Sequence, residues 1–259
     1  MIAQWRLFLT ALRYFTRIPV PASVLLGSPS FDSAARFLPL VGCVVGAGAG
    51  LVYWGATQIW PTSLAVILAI LAGVLMTGAL HEQGLAAACG LLGNALPQAR
   101  QWSKDDVTRR SGFGALGLLL LLMIKYNALM ALSAANLSIG LPANMGLGLI
   151  MIAAGASSRA LVVSVIATPP GVDKPPSTVK APSISGGELG FALLSGFIPA
   201  ILMGLPGLIG LAAAIIVRFA FVHGVRDHLS VQPGDFLGAT QQLAEIAFYL
   251  GSLGAWTYI

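Results

Sequence analysis

The stretch Gly78–Asn94, GALHEQGLAAACGLLGN, places His81 beside Glu82 and then carries no charge from Gln83 to Ala99. An imidazole next to a carboxylate can move a proton, orient a hydroxyl or contribute to a cation site. Four further ionisable side chains, Lys125, Arg159, Arg218 and Glu245, stand inside otherwise apolar runs. Charged groups in such runs are costly and face a polar interior rather than hydrocarbon. Arg218 lies near the end of its run and is expected to reach the headgroups with its long stem. Arg159 and Glu245 lie deeper, roughly 12 Å in at 1.5 Å per residue, with Lys125 deeper still. This pattern favours a polar functional cavity over internal ion pairing. Spacing alone leaves open which cation faces Glu245.

The elements that must hold these groups follow from composition. Of 259 residues 57% are hydrophobic and only 9% charged, with a mean hydropathy of +0.86. A water-soluble domain carries about 25% charged residues, so the solvent for much of this surface is lipid. Cys43 and Cys89 both lie in apolar stretches and are expected as inert small side chains, not a disulfide framework. At about 100° per residue, Arg6, Thr10, Arg13 and Arg17 share one helical face, with Trp5, Phe8, Leu12 and Phe15 opposite. These arginines interrupt any apolar core a secretory signal needs. A helix lying in the membrane interface over residues 1–20 is expected, ended by Pro19 and Pro21.

Residues 37–80 carry no charge, room for two spans of about 20 residues each, with Tyr53, Trp54, Trp60 and Pro61 at the turn between them. Gly42, Gly46 and Gly50 have the small-xxx-small spacing that admits a close neighbouring helix. Further spans are expected over 113–134, 144–166, 188–204, 206–223 and 237–258. The fold class is therefore all-α: one polytopic transmembrane bundle of about seven spans, 37–258, behind the interfacial helix, with 1–259 as a single domain. On that layout the turns near 58–62, 135–143 and 205–207 and the C-terminus carry no charge. The loops 81–112, 168–188 and 222–236 and the N-terminal segment ahead of the first span carry the charges outside the spans. By the positive-inside rule their side is cytoplasmic. His223 and His228 lack zinc-site partners and spacing.

Several stretches, in order, carry a resemblance that covers nearly the whole chain: ALRYFTRIPVP, ARFLPLVG, TGALHE before GLA, SGFGALGLLLLLMIKYNAL, SSRA and PGDFLGATQQLAEIAFYLG. Together they resemble the cobalamin synthase family, the adenosylcobinamide-GDP ribazoletransferases of bacterial inner membranes. The resemblance implies a transferase whose substrates are adenosylcobinamide-GDP and alpha-ribazole or its phosphate, with GMP released. It implies Mg2+ as cofactor, membrane lipid as surroundings, no nucleic acid, and an active face and N-terminus on the cytoplasmic side. Other cobalamin-assembly enzymes or a second copy of the chain are further candidate partners.

Carried over position by position, the resemblance points to His81, Glu82, Arg109, Lys125 and Arg159 as catalytic. Lys104, Arg110, Gly234, Asp235 and Glu245 are the candidates for substrate binding. Arginine forks and lysine charges suit phosphate oxygens. The family's metal motif has the form H-x-D-G-x-x-D-x-x-D-G, whose acids at i, i+4 and i+7 share one helical face. Here His81, Glu82, Gly84 and Leu85 fit, while Gln83 and Ala87 occupy the first two acidic positions and the third is replaced or deleted around Gly90. A neighbouring pattern keeps Arg109, Phe113 and Gly114 with Ser111 where glycine is usual, and the late loop keeps Gly234 and Asp235 between Pro233 and Phe236. Glu82 and Asp235 are the expected metal carboxylates that remain. Asp105 and Asp106 are expected as surface charges. Two alternatives stand beside the transferase: an impaired family member that still binds corrinoid or assembly partners, and a small-solute transporter using Lys125, Arg159 and Glu245.

Overall fold

The protein is described from a computed structural model covering residues 2–21, 31–95, 106–135, 143–167, 184–225 and 233–257. These residues are helices joined by short turns, with no strand among them. In chain order they are α1 (Ile2–Phe15), α2 (Phe31–Ala35), α3 (Leu38–Ala56), α4 (Thr62–Thr77), α5 (Leu80–Ala95), α6 (Asp106–Ala134), α7 (Ala143–Ala167), α8 (Gly186–Leu202), α9 (Leu205–Val225) and α10 (Pro233–Thr257). Each expected span coincides with a helix. Four described helices are individually long and apolar enough to cross a membrane, and five if the bent pair of α4 with α5 counts as one span. The remaining two fall short for different reasons. Helix α8 has only 17 residues, about 26 Å at 1.5 Å each. Helix α10 has 25, but Gln241, Gln242 and Glu245 lower its hydropathy.

Helices α3 and α7 cross at the glycines. A Cβ on Gly42 would run into the Gly155 carbonyl, one on Gly46 would lie 2.5 Å from Met151 O, and one on Gly50 would lie 2.8 Å from Gly148 Cα. Their spacing therefore does what it predicts: it lets two backbones touch. Helix α7, buried along most of its length, forms the centre of the bundle. Helices α8 and α9 form a hairpin closed at Gly204, which adopts φ +70°. Helix α9 then meets α10 where Gly210 faces the Phe248 carbonyl and Gly251 faces the Ile209 carbonyl.

Helix α1 lies on α3 through Leu7, Ala11 and Leu12, which cluster with Phe37, Val41 and Val45. Arg6, Arg13 and Arg17 are exposed. Thr10, placed with these arginines by spacing, is instead buried, its hydroxyl donating to the Arg6 carbonyl at 2.8 Å, and Trp5 is exposed. Arg36, just ahead of α3, ties three elements together. It donates to Gln4 Oε1 on α1 at 2.6 Å and pairs with Glu188 Oε1 on α8 at 3.3 Å. Glu188 also completes a capping box with Ser185 at the start of α8. Arg218 does not extend outward from its span. It is buried, with its guanidinium 4.3 Å from the Phe219 ring centroid.

Candidate functional site

The site begins at a bend. After α4, Gly78 takes φ +66° and Ala79 takes φ +60°, and the Ala79 N–H donates back to the Val74 carbonyl at 2.9 Å. Two successive left-handed residues end α4 and turn the chain by 93° into α5. Glycine takes this conformation readily; for alanine it costs about 1–2 kcal/mol. The bend is backed by the end of α1, where the Arg17 N–H donates to the Met76 carbonyl at 2.7 Å and the Arg17 side chain fills the space beside Gly78.

Helix α5 is then clamped between α6 and α10. A Cβ on Gly84 would lie 2.6 Å from Asp235 O and 3.0 Å from Gly238 Cα; one on Gly114 would lie 2.7 Å from Ala86 O. Phe113 fills the space left by Gly93. Gly84, Phe113 and Gly114, all retained from the family patterns, thus serve as packing residues that fix where His81 and Glu82 point.

They point inward. His81, Glu82, Lys125, Arg159, Gln242 and Glu245 line one cavity of about 40 Å³, bounded also by α3 and α4. Lys125 is the cation that faces Glu245, with Nζ 2.8 Å from Oε1. Tyr249 donates its hydroxyl to the same oxygen at 3.0 Å, and Gln241 Nε2 donates to Oε2 at 2.6 Å and to Ser158 Oγ at 3.1 Å. Gln242 Nε2 donates to Glu82 Oε1 at 2.8 Å. Arg159 Nη1 donates to the Gly155 carbonyl at 3.1 Å. Lys125 and Glu245 therefore form the internal ion pair that the sequence reading disfavoured, and they do so in the wall of a polar cavity that Arg159 also lines and Arg218 does not.

Three buried atoms in this wall make no hydrogen bond to the protein: His81 Nε2, Glu82 Oε2 and Arg159 Nε. Their residues are only 5%, 6% and 3% exposed. Buried polar atoms are otherwise almost always paired, so three residues that each carry an unpartnered buried nitrogen or oxygen and line the same small cavity mark a polar site. Water occupies about 10–15 Å³ of such volume. The cavity therefore admits a few waters or the oxygen-bearing tip of a larger molecule, not a nucleotide.

The other expected residues lie elsewhere. Gly234 and Asp235 are on the first turn of α10 and do not line the cavity, although Asp235 contacts Gly84 through its backbone. Arg109 and Arg110 are on the first turns of α6, but their side chains, like Asp106, lie outside the described residues, as do Lys104, Asp105 and His228 altogether. Most of the 168–188 loop does so too. Gln241, Gln242, Tyr249 and Ser158 were not expected. Gln241, Glu245 and Tyr249 follow at i, i+4 and i+8, a polar stripe along an apolar helix that marks an inward face.

A resident magnesium ion fits these residues poorly. Magnesium demands near-octahedral oxygen coordination, yet among the described residues no group of three His, Cys, Asp or Glu side chains comes together for a metal. Glu82 has one unpartnered oxygen, Asp235 lies outside the cavity wall, and Gln83, Ala87 and Gly90 supply no carboxylate.

Comparison with known proteins agrees across the whole chain. Residues 7–253 match the profile of the cobalamin-5-phosphate synthase family. The adenosylcobinamide-GDP ribazoletransferase of Leptothrix cholodnii is 38% identical over 99% of this chain and 98% of its own length. Those of Shewanella amazonensis and Ralstonia nicotianae are 34% and 36% identical, covering 98% and 95% of this chain and 97% and 94% of their own. No solved structure matches it. A multi-pass helical bundle with this end-to-end similarity belongs to the cobalamin-5-phosphate synthase family.

Proposed function

We propose that this chain joins adenosylcobinamide-GDP to alpha-ribazole or its phosphate, releasing GMP, at the cytoplasmic face of a bacterial inner membrane. The observation that carries the reading is the end-to-end similarity to relatives named for that transfer. In the reaction a ribose hydroxyl oxygen bonds to the cobinamide-linked phosphorus. The bond from that phosphorus to the bridging oxygen breaks, GMP leaves with the electron pair, and the hydroxyl proton passes to a base. Such transfers depend mainly on positioning and on neutralising charge.

The cavity wall offers groups for each part. Glu82 Oε2 is a free acceptor for the hydroxyl proton, and His81, whose Nε2 is also unpartnered and which lines the same cavity, can orient that hydroxyl. Arg159 Nε is a donor for a phosphoryl oxygen. Lys125 is engaged by Glu245 and serves as a fixed positive charge in the same wall as Arg159. The corrinoid and the guanosine are too large for the cavity, so they are assigned to the cytoplasmic loops. There Lys104, Arg109 and Arg110 supply cations for the diphosphate, and Gly234 and Asp235 border it. Magnesium, implied by the family, would accompany the diphosphate and neutralise its charge, and Asp235 is the protein carboxylate that would be left to hold it.

The test is GMP release by the purified chain in lipid nanodiscs. Release that needs both adenosylcobinamide-GDP and alpha-ribazole, and that falls at least about 100-fold in Glu82→Gln, supports the reading. Binding of adenosylcobinamide-GDP without any release at saturating magnesium overturns it.

A further inference from the structure

Two adjacent side chains on α10 hold two different carboxylates. Gln241 donates to Glu245 at 2.6 Å and Gln242 donates to Glu82 at 2.8 Å. The first of these contacts belongs to the frame. Glu245 has both oxygens occupied, by Lys125 and Tyr249 on one side and Gln241 on the other, and Gln241 reaches on to Ser158 of α7. That network fixes the rotation of α10 against α6 and α7. Once α10 cannot turn, the next residue, about 100° further round the helix, has a fixed direction as well.

The second contact is different in kind. Gly238, one turn before Gln242, sits 3.2 Å from Gly84 Cα at the point where a Cβ would project, so α5 and α10 touch there through bare backbone. Glu82 on α5 is thereby carried to the Gln242 amide. The amide takes Oε1 alone, and Oε2 is left without a protein partner in the cavity wall. A buried carboxylate anchored at one oxygen has fewer orientations open to it, so the anchor restricts where its other oxygen can lie.

We propose that Gln242 is a positioning residue that aims the free oxygen of Glu82 into the cavity where the acceptor hydroxyl is deprotonated. The role in catalysis rests on the transfer reading above; the aiming itself does not. A primary amide suits the task because it can turn over, donating to a carboxylate through nitrogen or accepting from a carboxylic acid through oxygen. Glu82 can then gain a proton during turnover without losing its anchor. An apolar residue offers neither bond, and a shorter amide does not span the distance.

Gln242→Met keeps the volume and removes both bonds. It is expected to lower kcat about 10- to 100-fold while the KM for each substrate moves less than about threefold. Gln242→Asn, with its amide withdrawn by one methylene, shifts kcat in the same direction and keeps the test open if the Met variant does not fold. In a Glu82→Gln background the Met substitution is expected to cost nothing more, because there is no base left to aim. An equal further loss in that background means a structural role and overturns the proposal. The aim is read without turnover by infrared spectroscopy of the protein labelled with carbon-13 at glutamate carboxyls, with the Glu82 band assigned by difference against Glu82→Gln. That band should shift in Gln242→Met; an unchanged band overturns the proposal. If the native chain releases no GMP, the transfer reading falls and the infrared shift alone decides whether Gln242 holds Glu82.

Discussion

Lys125 on α6 and Glu245 on α10 form an ion pair of 2.8 Å inside the bundle, and no oxygen of Glu245 is left over. Removing one member of a buried pair strands the other charge at a cost of about 3–5 kcal/mol, whereas removing both is far milder. Glu245→Gln should therefore destabilise the protein by about that amount, and adding Lys125→Met should recover more than half of it. A residual deficit of about 1–3 kcal/mol is expected, since Gln241 loses the carboxylate it donates to. Unfolding midpoints in detergent for the two single variants and the double variant give the answer. A double variant no more stable than Glu245→Gln means the pair contributes little.

The crossing of α3 on α7 rests on absent side chains. At Gly46 a Cβ would meet the Met151 carbonyl and the Ile152 Cα, both backbone atoms that cannot step aside. Gly46→Leu should cost at least about 1–3 kcal/mol through overpacking and also distort the cavity wall that Gly46 joins. Gly55, further along the same helix, has nothing within 4 Å, so Gly55→Ala should be neutral or stabilising by about 0.5–1 kcal/mol. Folded yield and thermal midpoint of the two variants separate close approach from a general aversion to larger residues in α3.

The bend before His81 is built on a residue unsuited to it. Ala79 holds φ +60°, and Ala79→Gly should relieve that strain for a net gain of up to about 1 kcal/mol after the extra chain entropy of glycine. Gly78→Ala should do the reverse, by about 1–2 kcal/mol, because its Cβ would also run into the Arg17 side chain. Opposite signs in the thermal midpoint are the expected outcome. Equal signs would place the constraint elsewhere than in the left-handed backbone.

The sequence made some of this legible and hid the rest for physical reasons. Uncharged runs bounded by proline and aromatic residues located the spans, and the glycine spacing located the close crossing, because both are local patterns. The partner of Glu245 was not readable, since Lys125 lies 120 residues away and Arg159 sits at similar depth. The bend was hidden because alanine at position 79 does not advertise a left-handed turn. Phe113 and Gly114 stood out by resemblance alone, and their contacts with α5 give them a physical role. The clasp of Gln242 on Glu82 spans 160 positions, which no periodicity can reveal.

The opposite face of α5 offers the last test. Gln83 is exposed and Ala87, one turn on, is half-buried, while His81 and Glu82 face into the cavity. Gln83→Asp with Ala87→Asp would place two carboxylates at i and i+4 on that outer face without entering the cavity wall. Without metal the pair repels, by about 0.2–0.5 kcal/mol. With magnesium the sign reverses, because a ligand that binds only the folded chain stabilises it by about 2.7 kcal/mol at a hundred times its Kd. The double variant should thus melt slightly below the native chain in chelator and above it in millimolar magnesium. A midpoint that ignores magnesium would mean that two carboxylates on this face are too few, and that the ion is held by the substrate's phosphates.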